Sequence, residues 1–123
     1  MKHIMVIDDS PTIRTSVEYA IRDLGHKITQ AEDGVDALDK VKGIKEKGDD
    51  VILCLVDINM PEMDGITFIK EFRKIDKFTP LLVLTTESEE SKITEGKKAG
   101  ASGWVVKPFQ PENLVKTVSS LIR

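Results

Sequence analysis

The chain of 123 residues carries 18 Lys and Arg against 21 Asp and Glu, a formal net charge of −3, with 40% hydrophobic and 32% charged residues. That length suits one domain, residues 1–123, whose core needs no disulfide or metal staple. The charge balance excludes the basic footprint of a nucleic-acid binder, and no apolar run is long enough for a signal peptide or a membrane span, so a cytoplasmic, membrane-free protein is expected.

In chain order, Ile4–Ile7 is a short apolar run of the kind buried on both faces of a sheet, and it ends at Asp8-Asp9. Ser10 then caps a helix with Pro11 in its first turn; Ile13, Val17, Ala20, Ile21 and Leu24 recur at helical spacing and Gly25 ends it. Lys27–Ala31 carries the weakest apolar signal, as an edge strand does. A second helix from about Gly34 is expected to bury Val35, Leu38, Val41 and Ile44 before a charged loop over residues 45–50.

Val51–Val56 is the most apolar strand, and it stops abruptly at Asp57. Its Cys54, the single cysteine, excludes an internal disulfide and reads as a small buried hydrophobe rather than a nucleophile. Asn59, Pro61, Asp64 and Gly65 mark a loop, and Ile66, Ile69 and Phe72 resume helical spacing to about Lys74. Leu81–Leu84 is a strand ending in Thr85-Thr86. A polar helix spans about Ser88 to Ala99, with Ile93 and a mid-helix Gly96 that costs about 1 kcal/mol relative to Ala. Trp104–Val106 ends in Lys107-Pro108, and the last helix, after Gln110-Pro111, packs Leu114, Val115, Val118, Leu121 and Ile122. His3 and His26 read as structural or solvated.

Five strands alternating with five helices argue an α/β fold with a parallel sheet and right-handed crossovers. Four strands end in Asp-Asp, Asp, Thr and Lys: metal-ligand, nucleophile, hydroxyl and cation types. In a parallel sheet these ends share one edge, where open α/β sheets place their chemistry.

The set Val6-Ile-Asp-Asp9, Val56-Asp-Ile-Asn-Met-Pro-Glu-Met-Asp-Gly65, Leu84-Thr85 and Ala99-Gly-Ala-Ser-Gly-Trp-Val-Val-Lys-Pro-Phe109 resembles the receiver domain of two-component response regulators, and most of all its single-domain chemotaxis members. The resemblance covers essentially the whole chain. It implies a flavodoxin-like (βα)5 three-layer sandwich with strand order 2-1-3-4-5, which brings Asp8, Asp9 and Asp57 to one crevice. Three carboxylates there would repel one another, and a hard, oxygen-ligated cation such as Mg²⁺ relieves the repulsion; no His or Cys beside the motif favours zinc.

By the same resemblance, Asp57 is the phosphoacceptor, and Asp9, Asp57 and the Asn59 carbonyl ligate the metal, with Asp8 acting mainly through a metal-bound water. Thr85 and Lys107 contact the phosphoryl group, Asn59 and Glu87 set its lifetime, and Thr85 with Trp104 forms the output switch. A cis Lys107-Pro108 bond is implied as well. Trp104 departs from the pattern, since the family usually carries Tyr or Phe there.

The function so implied is a switch, not an enzyme acting on others. It takes a phosphoryl group from a histidine kinase and changes its binding to a partner, first among candidates the flagellar motor switch, as a monomer with no output domain of its own. Two other readings use the same residues. One is a phosphorelay receiver that hands the phosphoryl group to a further histidine protein; the other is an Mg²⁺-dependent aspartyl-phosphate phosphatase, for which the chain has no insertion long enough to form a cap. A flavodoxin-like nucleotide binder fits less well, because Asp8-Asp9-Ser10-Pro11 would repel phosphate unless a metal intervened.

Overall fold

The computed structural model describes residues 1–86 and 89–122. Strands β1 (Lys2–Ile7), β2 (Lys27–Ala31), β3 (Asp50–Val56), β4 (Leu81–Thr85) and β5 (Gly103–Val106) form one parallel sheet in the order β2-β1-β3-β4-β5. Helices α1 (Pro11–Ile21), α2 (Gly34–Glu46), α3 (Gly65–Ile75), α4 (Glu90–Ala99) and α5 (Pro111–Leu121) cover its faces. The sheet order and the three layers are those expected from the sequence.

The two-residue period of a strand sorts the core into halves. Ile4, Val6, Leu53, Leu55, Leu82 and Leu84 face α1 and α5, where they meet Val17, Ile21, Leu114 and Val118. Met5, Ile7, Cys54, Val56, Leu81 and Val83 face the other way, onto Ala37, Val41 and Ile44 of α2 and Ile66, Phe68, Ile69 and Phe72 of α3. Burial on both faces explains why these strands read as unbroken apolar runs. Cys54 is fully buried, and burial pushes its thiol pKa up, so it behaves as a hydrophobe.

Local signals set the helix ends. The Ser10 hydroxyl accepts from the Ile13 amide at 3.3 Å, Asp33 caps α2 through the Asp36 amide at 2.8 Å, and Asp64 caps α3 through the Thr67 amide at 2.8 Å. The first helix does not run intact to Gly25: it tightens into a 3-10 turn at Arg22–Leu24, and Gly25 terminates it at φ 84°. Val35 is not in the core. It is 49% exposed, because Ala37, Val41 and Ile44 define the buried stripe of α2 and Val35 lies well off it. The described part of the fourth helix begins at Glu90; Ser88, where the sequence suggested its start, lies outside the described residues. Among the described residues no helix is long and apolar enough to cross a membrane.

Candidate functional site

Sheet register builds the site. Ile7 pairs with Val56; the next amides donate back to the sheet, Asp57 N to Ile7 O at 3.0 Å and Asp8 N to Ala31 O at 3.1 Å. The first residue beyond each of two neighbouring strands is therefore an aspartate. Asp8 and Asp57 are buried, 4% and 7% exposed, whereas Asp9 is exposed. Carboxylate oxygens of the three lie within 4.8 Å of one another.

Lys107 closes the site from β5. Its Nζ donates to Asp8 Oδ2 at 2.7 Å and stands 3.5 Å from Asp57 Oδ2. The Lys107 amide donates to Thr85 O at 2.7 Å, which ties the end of β4 to the lysine. Thr85 is fully buried. The Lys107-Pro108 peptide is cis, as the family resemblance implied.

The acid turn is held from several directions. Asp8 Oδ1 accepts from the Ser10 amide at 2.9 Å, and its carbonyl accepts from Arg14 Nη1 at 2.6 Å. Asp57 Oδ1 accepts from the Asn59 amide at 3.3 Å; the Asn59 side chain is exposed. The loop after Asp57 then folds back on the strand, with Gly65 N donating to Ile58 O at 2.8 Å. Only glycine fits at position 65, since a Cβ there would run into the carbonyl oxygen of Asp57.

These groups can accept a divalent cation. Three carboxylates and the one ammonium ion-paired with them carry a formal charge of −2, and an all-oxygen donor set suits Mg²⁺. The surroundings are open on two sides. A cleft of about 380 Å³ adjoins Asp9 and Asn59 and runs between Met60, Lys70, Lys92 and Glu95. An apolar groove of about 500 Å³ lies on the other flank of Lys107, lined by Ile13, Ser16, Thr86, Phe109 and Pro111.

Trp104 lies apart from the acids, half-buried on β5 and packed against the α2–α3 half of the core. Its ring rests on α4 at Gly96, where a Cβ would come within 2.6 Å of the indole Cζ3. Gly96, an apparent defect in the sequence, is the seat of the indole. Glu87 lies outside the described residues.

The chain matches the response regulator receiver domain family over residues 4–119 and belongs to it. It is therefore a two-component signalling receiver, and its particular likeness is to CheY proteins. A chemotaxis protein CheY homolog of Campylobacter jejuni is 34% identical over 97% of this chain and 91% of its own. The chemotaxis protein CheY of Thermotoga maritima is 33% identical over 98% of this chain and 97% of its own. The solved structure of Vibrio cholerae chemotaxis protein CheY4 superposes with a TM-score of 0.88 at 41% identity, covering 98% of both chains.

Of the residues picked out in the sequence, Asp8, Asp9, Asp57 and Lys107 come together, Thr85 stands on the adjoining strand end, and Asn59 joins through its backbone amide. Arg14 was not visible in the sequence. It reads as one more solvent-facing arginine of a helix, and nothing in its spacing signals that it reaches the Asp8 carbonyl.

Proposed function

We propose that this chain is a phosphorylation-driven switch in which Asp57 takes a phosphoryl group from a phosphohistidine of a histidine kinase. The observation that carries the reading is Asp57 at the end of the central strand, buried, with the Lys107 ammonium 3.5 Å away and two further carboxylates beside it. An Asp57 oxygen attacks phosphorus as the P–N bond to the donor imidazole breaks, and the bonding pair leaves with the imidazole. Asp8, Asp9, Asp57 and the Asn59 carbonyl would hold Mg²⁺, which when bound would offset charge on the acids and the phosphoryl oxygens. Lys107 supplies a point charge to one phosphoryl oxygen and the Thr85 hydroxyl a hydrogen bond to another.

In this reading output runs through binding a partner, a reading supported by the chemotaxis relatives that match over 91% and 97% of their own lengths. The partner surface is α4, β5 and α5, because α4 buries only Gly96 among its described residues and so is cheap to shift. The CheY likeness supports a cytoplasmic chemotaxis role, with the flagellar motor switch as the proposed partner. Thr85 and Trp104 on neighbouring strands are the coupling residues, and Asn59 and Glu87 tune the lifetime of the phosphoryl group.

The deciding experiment is phosphorylation by acetyl phosphate with Mg²⁺, read by intact mass. Wild type gains one phosphoryl group and Asp57→Asn gains none; equal gain by the variant overturns the assignment.

A further inference from the structure

Arg14 sits one helical turn after Ser10, its amide donating to Ser10 O at 3.0 Å. Its guanidinium reaches back past the helix start. Nη1 donates to the Asp8 carbonyl at 2.6 Å and Nε to Gln30 Oε1 at 3.0 Å. Gln30 is fixed in turn, its Nε2 donating to Glu18 Oε1 at 2.9 Å and its carbonyl accepting from Lys40 Nζ at 2.7 Å. One planar group thus bridges the acid-bearing turn after β1 and the neighbouring strand β2. Both of these Arg14 donors go to neutral acceptors, not to carboxylates.

The peptide whose carbonyl it holds is the one joining Asp8 to Asp9. That peptide orients the exposed Asp9 side chain, which no hydrogen bond or ion pair fixes among the described residues. Asp8 has its own restraints, from the Ser10 amide and Lys107; Asp9 inherits its direction from the backbone. The fork of an arginine supplies two donors at a fixed separation, which the single ammonium of a lysine does not reproduce.

We infer that Arg14 is a positioning residue for the cation site: it clamps the Asp8–Asp9 peptide and so aims the Asp9 carboxylate. The inference rests on the reading of the acid cluster as a Mg²⁺ site. Support around a metal ligand is commonly worth about 10-fold to 100-fold in affinity.

The sign of the effect separates this role from a merely electrostatic one. A cation near a divalent ion repels it, so deleting Arg14 for charge alone tightens Mg²⁺ binding; deleting a clamp weakens it. Calorimetric titration of MgCl₂ into wild type, Arg14→Lys, Arg14→Ala and Lys40→Ala reads this directly. Arg14→Lys keeps the charge and protects against loss of the fold, which a metal-free thermal melt checks. Lys40→Ala cuts the far end of the same network, away from Asp8. Both Arg14 variants are expected to bind Mg²⁺ about ten-fold more weakly, with Lys40→Ala matching wild type. Equal or tighter binding by the Arg14 variants, with wild type binding normally, overturns the inference alone. No Mg²⁺ binding by wild type overturns the cation site and the inference with it.

Discussion

Lys107 hydrogen-bonds to Asp8 and ion-pairs more loosely with Asp57: its Nζ lies 2.7 Å from Asp8 Oδ2 and 3.5 Å from Asp57 Oδ2. The lysine thus acts as counter-ion to Asp8 while standing within reach of Asp57, the acceptor in the proposed reading. Its side chain is only 11% exposed and that of Asp8 only 5%, so the pair is buried and its loss leaves Asp8 uncompensated. Breaking such a pair costs about 3 kcal/mol, or roughly 10 °C for a chain of this size. Lys107→Met is expected to melt lower by that order without Mg²⁺ and to recover more than wild type when Mg²⁺ is added, since the cation replaces the lost charge. Paired thermal melts with EDTA and with MgCl₂ check this.

Asp9 carries the complementary expectation. A ligand that binds only the folded state stabilises it by about 2.7 kcal/mol at a hundred times its Kd. Wild type should gain that increment with Mg²⁺, and Asp9→Asn should lose most of it while melting as high or higher in EDTA, where one repelling charge is gone. Equal Mg²⁺ shifts in the two proteins would show that Asp9 is not a ligand.

The seat of the indole on α4 yields a third expectation. Gly96→Ala raises helix propensity by about 1 kcal/mol, but the added Cβ lands 2.6 Å from Trp104 Cζ3. The indole must move. Trp104 is the chain's single tryptophan, so its emission should shift to the red on solvent exposure, with no gain in melting temperature. Fluorescence and calorimetry of the variant test both parts.

A fourth concerns pH. Burial opposes ionisation of Asp76, yet the Thr79 hydroxyl, the Thr79 and Phe78 amides and the Lys45 ammonium outweigh it and hold the carboxyl well below its ordinary range. A group more acidic when folded adds stability above its unfolded pKa, about 3.9 for aspartate, and loses it as pH falls toward the folded value. The stability difference between wild type and Asp76→Asn should therefore stay constant from neutral pH down to about 5 and narrow below about 4. Urea denaturation at a series of pH values measures it.

Strands β1, β3 and β4 were legible because they are buried on both faces, and they end, as β5 does, in chemically distinct residues; the edge strands β2 and β5 are only partly buried. Asp57, Asp8 and Lys107 could be read from those ends, and Lys107-Pro108 from the motif around it. What sequence spacing could not show was which acid holds the lysine, since that depends on side-chain reach across the sheet. Val35 was misread for a related reason: an apolar residue beside a helix start fits either face, and packing chooses. His3 proved structural, buried between Thr29 Oγ1 at 3.0 Å and Asp49 Oδ2 at 3.1 Å. Both contacts are remote in sequence, 26 and 46 positions apart; the Arg14 clamp on the Asp8 carbonyl spans only six positions and depends on the guanidinium turning back past the helix start.

The ion pair between Lys107 and Asp8 spans 99 positions, and this governs when the site becomes whole as the chain is made. The acids of β1 and β3 are synthesised first, and the lysine follows Asp57 by about fifty residues. At about 5–20 residues per second that is an interval of roughly 2.5–10 s. Through that interval the nascent protein holds Asp57 without Lys107, and until Thr85 has been made β3 also lacks its neighbour β4. A chain interrupted between Asp57 and Lys107 holds both buried acids without the ammonium that pairs with them, so such a product leaves Asp8 uncompensated.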